Sequence, residues 1–149
     1  MKRTRIRRFS KRRGGLSRNQ RLELKELCRT VVMTKHGAFL FTEGAKRSWR
    51  GECSICSNTH WLQVCHIFSV GKYPRAEFMP ANTFAACWRC HLGPGGWHKD
   101  PTWAKDWIMD RLGVYCYDLL KTKVETAGPV DYTLTRAWLL AEIAKPEGA

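Results

Sequence analysis

At 149 residues the chain has room for one domain with a hydrophobic core and extensions, and too little for two independent domains. Lys and Arg outnumber Asp and Glu by 26 to 13, and the surplus crowds into Lys2, Arg3, Arg5, Arg7, Arg8, Lys11, Arg12 and Arg13, the footprint of a polyanion binder. That stretch lacks the apolar face of an interfacial helix, and no apolar run approaches membrane-spanning length, so nucleic acid is the expected partner and a membrane is not.

Residues 1–16 read as a flexible basic arm and residues 17–149 as a single domain. The arm leads into Gly14-Gly15 and a polar helical pattern where a secretory signal would need an apolar stretch, which predicts a cytoplasmic protein with reduced thiols. Ser17 with Gln20 three residues on makes a capping box, and Leu24, Leu27, Cys28 and Val31 share one helical face. A helix is expected to about Lys35, stopped near Gly37. Ala38 to Phe41 is a short apolar run, either a strand or a buried connection, and residues 42–52 (TEGAKRSWRGE) read as a polar loop. His60 to Val70 is rich in β-branched and aromatic residues and predicts strand. Gly71, Pro74 and Pro80 exclude a long helix after it and imply an extended loop.

Beyond the second Cys pair comes a Gly-rich turn, after which Asp100 can cap a helix with Pro101 at its first position. Trp103, Trp107, Ile108 and Leu112 form one stripe on that helix, which ends at Gly113; the Trp side chains are expected in the core and not against bases. A shorter helix, Val114 to about Thr122, precedes the linker ETAGPVD. Thr133 is expected to cap a last helix with Leu134, Ala137, Trp138 and Ala141 on its face.

Seven cysteines, an odd number, predict four metal-bound thiolates and free thiols at Cys28, Cys65 and Cys116. Cys53-x2-Cys56 and Cys87-x2-Cys90 have the spacing of tetrahedral zinc, each pair giving two thiolates from a tight turn. A redox couple would need only one such pair and a thioredoxin-like context, which is absent. Four thiolates leave no open coordination position, so this Zn2+ is structural, and the loop it closes gains folding free energy. Chemistry must then come from elsewhere in the loop. His66, Asn82 and His91 are the candidates, because zinc pins the two Cys pairs together and lets a His beside Cys90 converge with a His on the intervening strand. Singly each has an ordinary reading, a satisfied polar His or a turn-forming Asn; their order around the zinc ligands marks them out.

That order, His, Asn, then Cys-x-x-Cys-His, resembles the HNH branch of the ββα-metal (His-Me finger) nucleases. More closely, Trp61, Cys65-His66, Ser69-Val70-Gly71, Pro74, Phe78, Asn82, Cys87 and Cys90-His91, followed by DRLG at 110–113, is similar to the phage recombination endonucleases of the NinG or Rap type, which act on branched DNA. The likeness runs from Cys53 to Gly113, with a weaker echo in the last helix. It implies an α+β fold: a small zinc-stabilised ββα-metal core at about residues 50–113, with flanking helices at 114–145. It makes His66 the general base, Asn82 the residue that holds the ββα loop and the His66 ring, and His91 a ligand of a catalytic Mg2+ or Mn2+, with cuts that leave 5′-phosphates. Imidazole titrates near pH 6.5 in water and so can take a proton from water at pH 7, and a divalent ion beside His91 would offset charge developing on the phosphate.

The chain departs from these relatives in places. Cys65 stands where many have Asp and the NinG-like proteins Gly. It is either a soft ligand, which would favour zinc or another transition metal over magnesium, or a small buried filler. His91 stands where NinG-like proteins often have Asn, and Glu77 where relatives tend to be basic. His98 is either a second metal ligand or a surface residue, while His36 and His60 read as structural or solvent-facing. The expected function is a metal-dependent endonuclease of phage or prophage, acting in the host-cell cytoplasm on branched recombination intermediates such as Holliday junctions. The rivals are a non-catalytic zinc module that binds nucleic acid in transcription or packaging, and an HNH nuclease of linear duplex. A homodimer joined through the helices after Gly113 is expected, since junction cutting needs two active sites.

Overall fold

The computed structural model describes residues 15–145, and Lys2, Arg3, Arg5, Arg7, Arg8, Lys11, Arg12 and Arg13 of the basic arm lie outside the described residues. Ser17 opens α1 (Arg18–Lys35) through the expected capping box. Its hydroxyl accepts from the Gln20 N–H at 3.2 Å, and the Gln20 amide oxygen accepts from the Ser17 N–H at 2.9 Å. Leu24, Cys28, Val31 and Val32 face the core, with Leu27 partly buried beside them.

Residues 42–52 are not a loop. β1 (Phe39–Glu43) and β2 (Lys46–Glu52) form an antiparallel hairpin in register from Phe39↔Arg50 to Glu43↔Lys46. Trp49 and Gly51 turn inward and alternate with Ser48, Arg50 and Glu52, so a strand period lies beneath a polar composition. Gly44, first in the two-residue turn, takes the positive φ, 59°, that such hairpins need.

β3 (Thr59–His66) pairs with β2 only from Trp49↔Leu62 to Glu52↔Thr59. Its second half pairs on the other side with β4 (Thr83–Cys87), from Leu62↔Cys87 to His66↔Thr83. The edge of β3 that faces β2 is therefore open from Gln63 to His66. Between β3 and β4 the prolines allow only two single 3-10 turns, Pro74–Ala76 and Pro80–Asn82.

α2 (Trp88–Leu92) follows β4 directly. Asp100 caps α3 (Pro101–Leu112) as expected, its carboxylate accepting from the Trp103 N–H at 3.0 Å. α4 (Val114–Glu125) runs past the expected end at Thr122. Asp131, not Thr133, caps α5 (Tyr132–Ile143), accepting from the Leu134 N–H at 2.9 Å. The buried side of α5 is Leu139 with Tyr132 and Ile143, packed on α1, and the expected face of Leu134, Ala137, Trp138 and Ala141 looks outward. This helix is apolar on more than one side, so spacing alone does not decide which side a partner covers.

Among the described residues the chain is thus α+β, with five α-helices and a four-stranded antiparallel sheet of order β1-β2-β3-β4. α1 packs against one face of β3–β4 through Val64. α3 covers the other face through Phe84, whose ring centre lies 5.4 Å from that of Trp107; Trp103 and Trp107 pack partly buried against the core, as expected, beside the buried Trp97 of the Gly-rich turn. No described helix is long and apolar enough to cross a membrane.

Candidate functional site

Cys53 and Cys56 occupy the turn between β2 and β3, closed by the Ser57 N–H on the Cys53 carbonyl at 2.9 Å. Cys87 ends β4 and Cys90 lies in α2. Their four Sγ atoms lie within 4.8 Å of one another, compatible with the ~3.8 Å between thiolates that share a tetrahedral zinc with Zn–S bonds of ~2.3 Å. Burial pushes the Cys53 thiol up, but the N–H groups of Cys56, Cys87 and Ile55 and the Cys56 side chain outweigh it and bring it down to about 7. One of these, the Cys87 N–H, donates to the Cys53 sulfur at 3.3 Å. The four cysteines can hold a zinc ion, and four sulfurs would leave it saturated and structural.

His66 ends β3 and lies 3.0 Å through Nε2 from the Glu77 carbonyl. A carbonyl only accepts, so Nε2 carries the proton and Nδ1 keeps its lone pair. The His66 carbonyl in turn accepts from the indole N–H of the buried Trp97 at 3.0 Å. Asn82 is fully buried, and its side-chain amide meets both backbone groups of Phe68: Oδ1 accepts from the N–H at 2.8 Å and Nδ2 donates to the carbonyl at 3.0 Å. Its own carbonyl accepts from the Ile67 N–H at 2.8 Å. The side chain of Asn82 thus bonds the loop that leaves β3, whereas the ring of His66 bonds the Glu77 carbonyl.

His91 and His98 meet at 3.0 Å, Nε2 to Nε2, across the close of α2 and the Gly-rich turn. Gly96 lets that turn fold back: a Cβ there would stand 2.8 Å from the Cys90 carbonyl. The other ring nitrogen of His91, Nδ1, donates to the Gln63 side-chain oxygen at 2.9 Å, which fixes the tautomer and leaves Nε2 as a ligand atom. The buried sulfur of Cys65 completes a set whose three ligand atoms lie within 4.8 Å of one another. The ligating nitrogens of two imidazoles bound to one ion at ~2.0–2.1 Å stand about 3.3 Å apart, close to the separation of these two Nε2 atoms. Burial, with the neighbouring rings of His98 and His66, lowers His91 to about 4, and burial first also lowers His98. Both rings are thus neutral at pH 7, the form that binds metal. Of the two readings left open for Cys65 and for His98, the geometry places both residues beside His91.

His66, Gln63 and His91 line one cleft of about 640 Å3, walled on its far side by Lys25, Glu26 and Arg29 of α1. It opens along the edge of β3 that β2 leaves unpaired. Glu77, which the sequence marks as an acid out of place, is buried with its carboxylate between Arg21 and Lys25, and Glu26 is paired with Arg47 at 3.0 Å. The α1 wall therefore keeps a positive surplus, and the buried Nε of Arg29 has no hydrogen-bond partner among the described residues. Sequence reasoning missed Gln63 and Arg29 as parts of this site and marked Glu77 only as an acid out of place; Gln63 left a signal, since it lies two residues before Cys65 and so shares its side of the strand. No protein-family model, curated protein or solved structure matches the chain.

Proposed function

We propose that this chain is a metal-dependent endonuclease of HNH type that hydrolyses phosphodiester bonds in DNA, with His66 as its base. The observation that carries this reading is the commitment of His66 Nε2–H to the Glu77 carbonyl, which leaves Nδ1 as the basic atom of a ring that shares its cleft with His91. A divalent ion held by Cys65, His91 and His98 would act there as a Lewis acid and offset charge on the phosphate and the leaving oxygen. His66 Nδ1 takes the proton of the water whose oxygen bonds to phosphorus. The P–O3′ bond breaks, one product keeps a 5′-phosphate, and the departing O3′ takes a proton from solvent. Gln63 orients His91, Asn82 fixes the loop that leaves β3, and Lys25 with Arg29 attracts the sugar-phosphate backbone.

One thiolate with two imidazoles is a softer donor set than Mg2+ or Mn2+ prefers, and in this reading Zn2+ or Co2+ suits the site better. Branched DNA is the proposed substrate class, by the resemblance to the junction-cutting phage enzymes. A homodimer belongs to the proposal too, supported by the exposed Val114, Tyr115, Leu119, Leu134 and Trp138 on the helices after Gly113.

The test is to incubate purified protein with four-way junction, flap and linear duplex DNA under Mg2+, Mn2+, Zn2+, Co2+ or EDTA, alongside His66→Ala. The expected result is ion-dependent cleavage that falls by about 100-fold or more in the variant, while DNA binding persists. Tight binding with no cleavage under any ion would instead favour the non-catalytic zinc module.

A further inference from the structure

Phe39, Arg50 and Trp61 are register partners across β1, β2 and β3 and so project from the same side of the sheet. Trp49 and Leu62, their immediate neighbours in sequence, point to the opposite side and are buried. On the row's own side no described residue covers the hairpin: Phe39 is 72% exposed, Trp61 54% and Phe41 49%. The rings are nonetheless ordered against each other. Phe41 stands edge-on to Trp61 at 5.4 Å and 82°, and the Arg50 guanidinium lies 5.8 Å from the Trp61 ring centre. Three large aromatic side chains held in water on one small face mark a binding surface and not a core.

The chemistry of the row selects its occupant. An arginine sits among the rings, Lys46 follows on the same side at the hairpin tip, and the acid of β1, Glu43, lies opposite it. Aromatic faces combined with guanidinium groups suit planar, electron-rich rings joined by phosphates. A paired duplex hides its base faces, so the complementary form is a strand with unpaired bases. Location points the same way. Gln63, which holds His91, follows Trp61 by two residues on the same side of β3, about 7 Å along the strand.

We propose that Phe39, Phe41, Arg50 and Trp61 form a stacking platform for unpaired bases of the DNA strand whose phosphate enters the His66–His91 cleft. The inference deepens the nuclease reading and rests on it for the position of that phosphate, but not for the binding of bases. It also gives a physical reason for acting at branch points, where bases leave the duplex stack.

The experiment measures fluorescence anisotropy of full-length, zinc-loaded protein on three labelled DNAs of equal length: a mixed-sequence single strand, an abasic single strand and a blunt duplex. His66→Ala serves as the parent, so that the DNA stays whole. Adding Trp61→Ala is expected to weaken the single strand about tenfold and to leave the abasic strand and the duplex unchanged, with Trp61→Phe restoring most of the loss. An unchanged affinity for the single strand would overturn the platform. So would an equal loss on all three DNAs, which marks a general charge or folding effect. Sedimentation velocity covers the remaining occupant: if Phe41→Ala or Trp61→Ala dissociates a dimer without altering single-strand affinity, the face joins copies of this chain. Base-dependent binding without any cleavage by the wild-type protein would keep the platform and sink the nuclease; cleavage that ignores both ring substitutions would do the reverse.

Discussion

Asn82 and Gln63 act at the residue scale, each through a side-chain amide. Asn82→Ala empties a fully buried side-chain position and leaves the N–H and carbonyl of the half-buried Phe68 without their partners; the expected loss is about 1–3 kcal/mol, read from the midpoint of urea unfolding. Gln63→Leu frees His91 to take either tautomer, and metal affinity at the histidine site is expected to fall about 10- to 100-fold while the four-cysteine zinc stays in place, as titration calorimetry would show. Asn82, His66 and His91 were legible in the sequence because they fall at set places around the Cys ligands. Glu77 was not, because its contribution to His66 is a backbone carbonyl, which any residue possesses, and its side chain serves α1 instead.

At the scale of elements, the helix starts with explicit side-chain caps were readable at Ser17 and Asp100, where the capping atom and its spacing are local chemistry. β2 was concealed because its outward positions are charged, although Trp49 and Gly51 kept the strand period. The outward face of α5 was misjudged because burial depends on where α1 lies, which no local pattern states. That α1–α5 contact holds Cys28, whose thiol is pushed up to about 12 by burial and then by the charge of Glu77. Between pH 9 and 12 the unfolded chain loses this proton while the folded chain keeps it, so stability falls as pH rises through that window, by up to about 1.4 kcal/mol per pH unit. Urea midpoints from pH 8 to 11 should fall less steeply for Cys28→Ala than for the parent. In the Gly-rich turn, Gly96→Ala drives a Cβ toward the Cys90 carbonyl at 2.8 Å, and the turn that carries His98 must shift. Loss of the histidine-site ion, with the four-cysteine zinc retained, is the outcome to look for by metal analysis.

For the whole molecule, the four cysteines that could hold zinc bring together the β2–β3 turn, the end of β4 and α2; α2 carries His91, and β3, which starts from that turn and pairs with β4, carries Cys65 and His66. Chelation of zinc is therefore expected to abolish the fold of the sheet and the cleft together, visible as loss of the near-ultraviolet circular dichroism of the Trp cluster. The basic arm should act without regard to sequence: deletion of residues 1–13 removes eight Lys and Arg and should weaken all DNAs alike, with a shallower dependence of log affinity on log salt. The central claim is that one chain builds two metal positions, one closed by four sulfurs and one open beside a basic imidazole. It is tested most directly by titrating zinc-loaded protein with Co2+, following the absorption bands and the zinc retained. One further ion per chain is predicted, with a thiolate-to-cobalt band lost in Cys65→Ser and binding lost in His91→Ala/His98→Ala. A chain that takes up no second ion, or takes it up equally well in these variants, would contradict the account.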